Sequence, residues 1–136
     1  SLHDALPISQ QIKSLKENNS GKIYPRNLAY AKKALEEANF SCEVDNAHKT
    51  FISKAMNKQY MEAHHLIPLQ FQEDFSYSLD IPANIVSVCP NCHRKLHFGF
   101  IEDKKEILKK LFERKNNKLK EFGIIINEDE LFEIYT

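Results

Sequence analysis

The residues best equipped for chemistry are a His64-His65 doublet, a Cys89-x-x-Cys92 pair, and His93 and His97 just after it. Residues 60–97 hold four of the six histidines and two of the three cysteines, so these donors are concentrated rather than scattered. Two histidines four apart on a helix share one face, so His93 and His97 can reach the same ion. Neighbouring residues on a strand point to opposite sides, so His64 and His65 divide the work: one faces the ion and the other faces a reacting water. A divalent ion held by two or three imidazoles keeps positions open for water and for a substrate oxygen. An imidazole with a pKa near neutrality can take a proton from that water. The chemistry within reach is metal-assisted hydrolysis.

These side chains need a strand, a second strand and a short helix to bring them together. Residues 60–64 read as the first strand, which Pro68 ends. Residues 69–80 read as a connection with Phe71, Phe75 and Leu79 as apolar anchors. The β-branched run 85–88 reads as the second strand. Cys89-Pro90-Asn91-Cys92 turns the chain into a short helix over 92–98, stopped at Gly99. Leu28, Ala31, Leu35 and Ala38 recur at helical spacing and predict a core-facing helix over 26–39. A long amphipathic helix is expected over 102–122, with Gly123 as its C-terminal cap. Phe51-Ile52-Ser53 reads as a short strand, 10–19 as a short helix, and Asn127 as the cap of a last turn carrying Leu131, Phe132, Ile134 and Tyr135.

With 136 residues and 42% hydrophobic content, the chain suits one small domain with a modest core. The expected division is an N-terminal arm at 1–22, a domain at 23–123 with its motif core at 42–99, and a C-terminal tail at 124–136. The segment 1–8 fits no periodic pattern and is a candidate for foreign sequence; His3 receives no role. The chain opens on Ser1 rather than Met, as a fragment of a longer protein would. No apolar run reaches membrane-spanning length and no signal peptide is evident. Nineteen basic residues balance nineteen acidic ones, so the overall basic excess usual in nucleic-acid binding is absent. The lysines and arginine from Lys104 to Lys120 read as a solvated helix face. Three cysteines cannot all pair within one chain, and a C-x-x-C of this kind reads as a metal ligand pair.

Taken together, His65, Asn84 and His93 resemble the three-letter signature of HNH nucleases, whose fold is the α+β ββα-metal core. Asn84 followed by His93 and then His97, together with the His-His doublet, is similar to the colicin-type nuclease toxins. The resemblance implies that His64, His93 and His97 hold a catalytic divalent ion such as Mg²⁺, Mn²⁺ or Ni²⁺. It implies that His65 is the general base and that Asn84 orients the loop carrying it. Glu62 has a counterpart that supports a phosphate-contacting arginine, although no arginine partner is evident here. Cys89 and Cys92 are similar to the zinc-containing, McrA-like branch. That branch usually supplies two C-x-x-C pairs, whereas this chain offers only Cys42 upstream. A structural zinc then needs a fourth ligand. His48 is favoured, giving Cys42, His48, Cys89 and Cys92, with Asp45 as the alternative.

The resemblance implies a DNA endonuclease, the nuclease domain of a restriction or defence protein, with target choice made by a domain elsewhere in a longer parent. Arg94 and Lys95 on the site helix are candidates for contacts to flanking phosphates. A cytoplasmic, bacterial or phage-type setting is expected. The alternatives are a nuclease toxin, or a non-catalytic zinc module that binds nucleic acid or protein.

Overall fold

The computed structural model describes residues 26–136. The expected arm, the helix over 10–19 and His3 lie outside the described residues. The first described helix, α1 (Leu28–Glu37), is capped by the Asn27 side chain, which accepts from the Ala29 amide at 2.9 Å. It leads through two consecutive left-handed residues, Asn39 and Phe40, into an irregular segment containing Cys42 and His48. That segment contributes a single bridge, Ile52 to Gln59, in place of the expected strand at 51–53.

Two short strands form the centre. β1 (Glu62–His65) and β2 (Ile85–Val88) pair antiparallel, with His64 opposite Val86 and His65 opposite Ile85. β1 starts two residues later than the sequence suggests, because Tyr60 and Met61 turn aside: the Tyr60 amide bonds the Phe51 carbonyl, and the Tyr60 ring stacks on Phe51. β2 falls where its β-branched run predicts, and all four of its residues are buried. Next comes α2 (Pro90–Phe98), with Pro90 in its first turn and Cys89 as its N-cap. Both α1 and α2 pack across the two strands.

The connection between the strands is less irregular than expected. It contains a 3-10 helix at Leu69–Asp74 and a second at Pro82–Asn84. Buried Gln72 holds this connection in shape by donating to the Tyr77 carbonyl and accepting from the Leu79 amide, both at 2.7 Å.

The long helix α3 (Ile101–Glu121) buries Ile107, Leu108, Leu111 and Leu119. Gly123 follows it at φ 77°, a left-handed conformation that suits glycine; a Cβ there would lie 2.3 Å from the Tyr77 ring. Residues 124–136, expected to be a tail, belong to the core. Ile124 and Leu131 are fully buried, and α4 (Glu128–Ile134) is held at its start by a capping box between Asn127 and Glu130. A chain this small has few apolar side chains to spare, so the last segment is recruited into the centre. Among the described residues, no helix is long and apolar enough to cross a membrane.

Candidate metal centres and active site

The structure gathers the predicted donors into two separate groups. In the first, one ligand atom each from Cys42, His48, Cys89 and Cys92 lies within 4.8 Å of the others. The three thiols are free of disulfides and buried. Tetrahedral zinc with bonds of ~2.3 Å to sulfur and ~2.0–2.1 Å to nitrogen sets its sulfur and nitrogen ligands about 3.6 Å apart. The Sγ atoms of Cys89 and Cys92 stand 3.7 and 3.5 Å from His48 Nδ1, so the donors fit zinc in spacing as well as in type. Burial opposes ionisation of the Cys42 thiol, but backbone hydrogen bonds from Cys89 and Asp45 and the neighbouring His48 outweigh it and lower the pKa to about 7. A thiol of that kind is ready to serve as a thiolate ligand.

Asp45, the alternative fourth ligand, is outside this group. Its Oδ1 accepts from the Ala47 amide, shaping the turn, and its Oδ2 lies 3.9 Å from His48 Nε2. The aspartate thus faces the far side of the imidazole whose Nδ1 meets the thiols. Glu43 moors the segment: its amide bonds the Ser87 carbonyl, and its buried carboxylate accepts from the Ser87 amide at 2.9 Å. The other carboxylate oxygen meets Arg114 at 3.3 Å and Lys115 at 3.5 Å, so two residues of the expected solvated run tie α3 to the cysteine-rich segment.

The second group is His64, His93 and His97, again with one ligand atom each within 4.8 Å. The His64 ring meets His93 and His97 edge-on, with centroids 5.2 and 4.9 Å apart. Two of the three imidazoles, His64 and His93, are directed by a neighbour on the far side. Tyr135 Oη lies 2.7 Å from His64 Nε2 and donates to the Leu66 carbonyl at 2.6 Å. The tyrosine hydrogen is therefore committed, so His64 Nε2–H is the donor and its Nδ1 lone pair is left for an ion. Glu62 Oε1 lies 2.7 Å from His93 Nδ1, which frees His93 Nε2 in the same way. His93 Nε2 and His97 Nε2 are 3.1 Å apart, about the spacing of two imidazole nitrogens on one ion at ~2.0–2.1 Å. This second donor set also fits a divalent metal.

The electrostatics suit that use. Burial, reinforced by the nearby His93 and His97, pushes the His64 pKa down to about 3, so its ring is neutral and its lone pair available. Burial also lowers His97, again with His93 contributing. Burial alone raises Tyr135 far above the usual phenol range, which keeps its hydroxyl intact as a donor. Burial works against the Glu62 charge, but hydrogen bonds from Tyr60 and His93 prevail and hold its carboxyl below the usual range.

His65, Asn84 and a cleft complete the arrangement. A cavity of about 150 Å³ is lined by Arg26, His64, His65, His93 and His97, with Ala63, Pro68 and Leu69. Both members of the doublet reach this one space, although strand alternation alone would separate them. They divide by partner instead: His65 Nε2 is 2.8 Å from Asp80 Oδ1, while His64 joins the two helix imidazoles. Asn84 is fully buried and clamps the loop after β1. Its Oδ1 accepts from the Ile67 amide, and its Nδ2 donates to the carbonyls of Ile67 and Leu79, all within 2.8–2.9 Å. Arg94 lines a neighbouring groove of about 600 Å³ with Tyr60, Glu62, His93, His97 and Phe98, and Lys95 is exposed on the same helix.

Sequence reasoning missed Arg26, Asp80, Tyr135 and Lys104 at this site. Lys104 is buried, donates to the Tyr135 carbonyl at 3.3 Å and lies over the Tyr135 ring. The only hint of Tyr135 was its place in the apolar pattern of the last segment. Asp80, 15 residues from His65, carried no signal of its own.

Comparison with known proteins agrees with this geometry. Residues 48–99 match the HNH endonuclease family. Over 91 residues the chain is 33% identical to the type IV methyl-directed restriction enzyme EcoKMcrA of Escherichia coli strain K12. That alignment covers 67% of this chain and 30% of the relative, so the chain spans about a third of that enzyme's length. With the two strands, the helix and the two donor groups in place, the chain belongs to the HNH endonuclease family, in its McrA-like branch with a Cys3His set able to hold zinc.

Proposed function

We propose that this domain hydrolyses DNA phosphodiester bonds as the nuclease portion of a restriction or defence protein, with zinc at Cys42, His48, Cys89 and Cys92 serving structure and a second divalent ion at His64, His93 and His97 serving catalysis. The observation that carries this reading is the cavity where the three clustered imidazoles of His64, His93 and His97 converge with a fourth imidazole and an arginine. When bound there, an ion such as Mg²⁺, Mn²⁺ or Ni²⁺ would supply positive charge to offset the negative charge growing on the phosphate and leaving oxygen.

The remaining work belongs to the chain's own side chains. The ring nitrogen of His65 not engaged by Asp80 takes a proton from water. As that proton leaves, the water oxygen forms its bond to phosphorus and the bond from phosphorus to the 3′ oxygen breaks on the opposite side. The 3′ oxygen takes a proton from solvent, giving 3′-hydroxyl and 5′-phosphate ends. Arg26 receives a non-bridging oxygen of the same phosphate, for which its planar fork is suited. Asn84 keeps the loop behind His65 rigid, and Arg94 and Lys95 contact flanking phosphates without reading sequence. Target recognition falls to another part of a longer parent protein.

Plasmid cleavage in the presence of Mg²⁺, Mn²⁺ or Ni²⁺ tests this reading. His65→Ala should cut at least ~100-fold more slowly, in line with the usual contribution of a general base, while zinc content stays unchanged. Equal inertness of wild type and variant across metals and substrates would leave a zinc module that only binds.

A further inference from the structure

Asp80 is fully buried, and among the described residues its carboxylate meets at least two donors from different parts of the chain. Oδ1 lies 2.8 Å from His65 Nε2, and Oδ2 accepts from the Asn27 amide at 2.7 Å. His65 is the base of the proposed reaction. Asn27 caps α1, and the residue before it, Arg26, lines the cavity with the histidines. One side chain therefore braces both the proton acceptor and the segment that carries the phosphate-binding cation.

Hydrogen-bond bookkeeping makes the acid specific. A backbone amide can only donate. A neutral histidine that is to accept a proton at Nδ1 must carry its own proton at Nε2, so it too donates toward Asp80. Two donors require two acceptors, which an ionised carboxylate provides and an amide does not. Resting on the nuclease reading above, we propose that Asp80 is the positioning residue of the catalytic base: its carboxylate holds His65 as the Nε2–H tautomer, with Nδ1 free toward the cavity, and with its other oxygen fixes the start of α1 so that Arg26 stands over the same cavity.

Asp80→Asn tests the assignment with almost no change in volume. If the new amide oxygen serves Asn27, its NH₂ faces His65 Nε2, and the ring must switch to the Nδ1–H tautomer, which cannot accept the proton from water. If the oxygen serves His65 instead, an NH₂ opposes the Asn27 amide and the start of α1 loosens.

The readouts are the kcat and KM of the metal-loaded protein and the ring ¹⁵N–¹³C correlation spectrum of zinc-loaded protein at a pH where His65 is neutral. The His65 signal is assigned by its loss in His65→Ala. Wild type should show protonated Nε2 and bare Nδ1. Asp80→Asn should shift that signal to the other tautomer or to a mixture, with kcat reduced ~100-fold or more and metal content retained. A purely structural role would alter stability without moving the tautomer.

The proposal is overturned if wild-type His65 is protonated at Nδ1, or if Asp80→Asn keeps both the Nε2–H form and its kcat. Should Asp80→Asn fail to fold, the wild-type spectrum decides alone. Should wild type cleave no DNA, the nuclease reading fails, while the tautomer still decides whether Asp80 holds His65 as described.

Discussion

The two donor groups differ in how completely they are closed. The cysteine-rich group offers four ligand atoms, three of them from buried thiols, and so fills a tetrahedron with no position left over. The histidine group offers three ligand atoms beside a cavity, and one of them, on His97, belongs to an exposed side chain. A closed set of donors contributes to folding, whereas an open set gives up some affinity to admit a reactant. The groups also differ in what directs their donors. The thiols are set by backbone: Cys89 caps α2 and accepts from the Cys92 amide. The imidazoles are set by distant side chains, Tyr135 for His64 and Glu62 for His93.

Breaking the closed group should have the largest effect. Cys89→Ser removes a proposed zinc ligand at the start of the helix carrying His93 and His97, while the serine hydroxyl can still cap that helix. Apparent binding energies of structural zinc are on the order of 10 kcal/mol, as large as the whole stability of a small domain. The expected result is insoluble or unfolded protein without zinc, seen in metal analysis and circular dichroism. Soluble, folded, zinc-free protein would show that the group is not structural.

Loosening the open group should cost less and leave the fold in place. In Tyr135→Phe, His64 Nε2 loses its acceptor and the Leu66 carbonyl loses its donor. Catalytic-ion affinity should fall about 10–100-fold, the usual effect of removing a group that directs a ligand imidazole. Titration with Ni²⁺ by calorimetry measures this, with zinc content as the internal control. Stability should drop by ~1–3 kcal/mol for the unsatisfied buried carbonyl, visible in urea unfolding. Unchanged Ni²⁺ affinity would mean that the tyrosine only packs.

Asp45→Ala should have the smallest effect. Asp45 faces the outer nitrogen of His48 rather than the thiols, and both side chains are close to half exposed. Zinc stoichiometry should stay the same, and resistance to a competing chelator should weaken only slightly, by less than ~1 kcal/mol. Loss of zinc would identify Asp45 as a ligand and displace His48.

Local order was legible in the sequence because it follows from neighbours. The β-branched run at Ile85–Val88 and the proline-led helix Pro90–Phe98 depend on propensity and short spacing, and both lie close to where the residues predict. The donor types and the i, i+4 spacing of His93 and His97 are local too. The directing contacts are not. Glu62 reaches His93 across 31 residues, Tyr135 reaches His64 across 71, and Asp80 reaches back 53 to Asn27. No periodicity encodes such pairs, since they exist only once the core has brought the elements together. Lys104 misled for a related reason: in composition it joins a charged run, whereas in the fold it is buried against Tyr135.

The place of Tyr135 in the chain has a consequence in time. On a ribosome the strands and α2 emerge before residue 135. His64 nevertheless lacks its hydrogen-bond acceptor until α4 has docked, and that contact spans 71 residues. α4 therefore supplies a contact that the histidine centre needs from far along the chain. Until α4 has docked, the cysteine-rich group can form while the His64 side chain still lacks the partner that directs it.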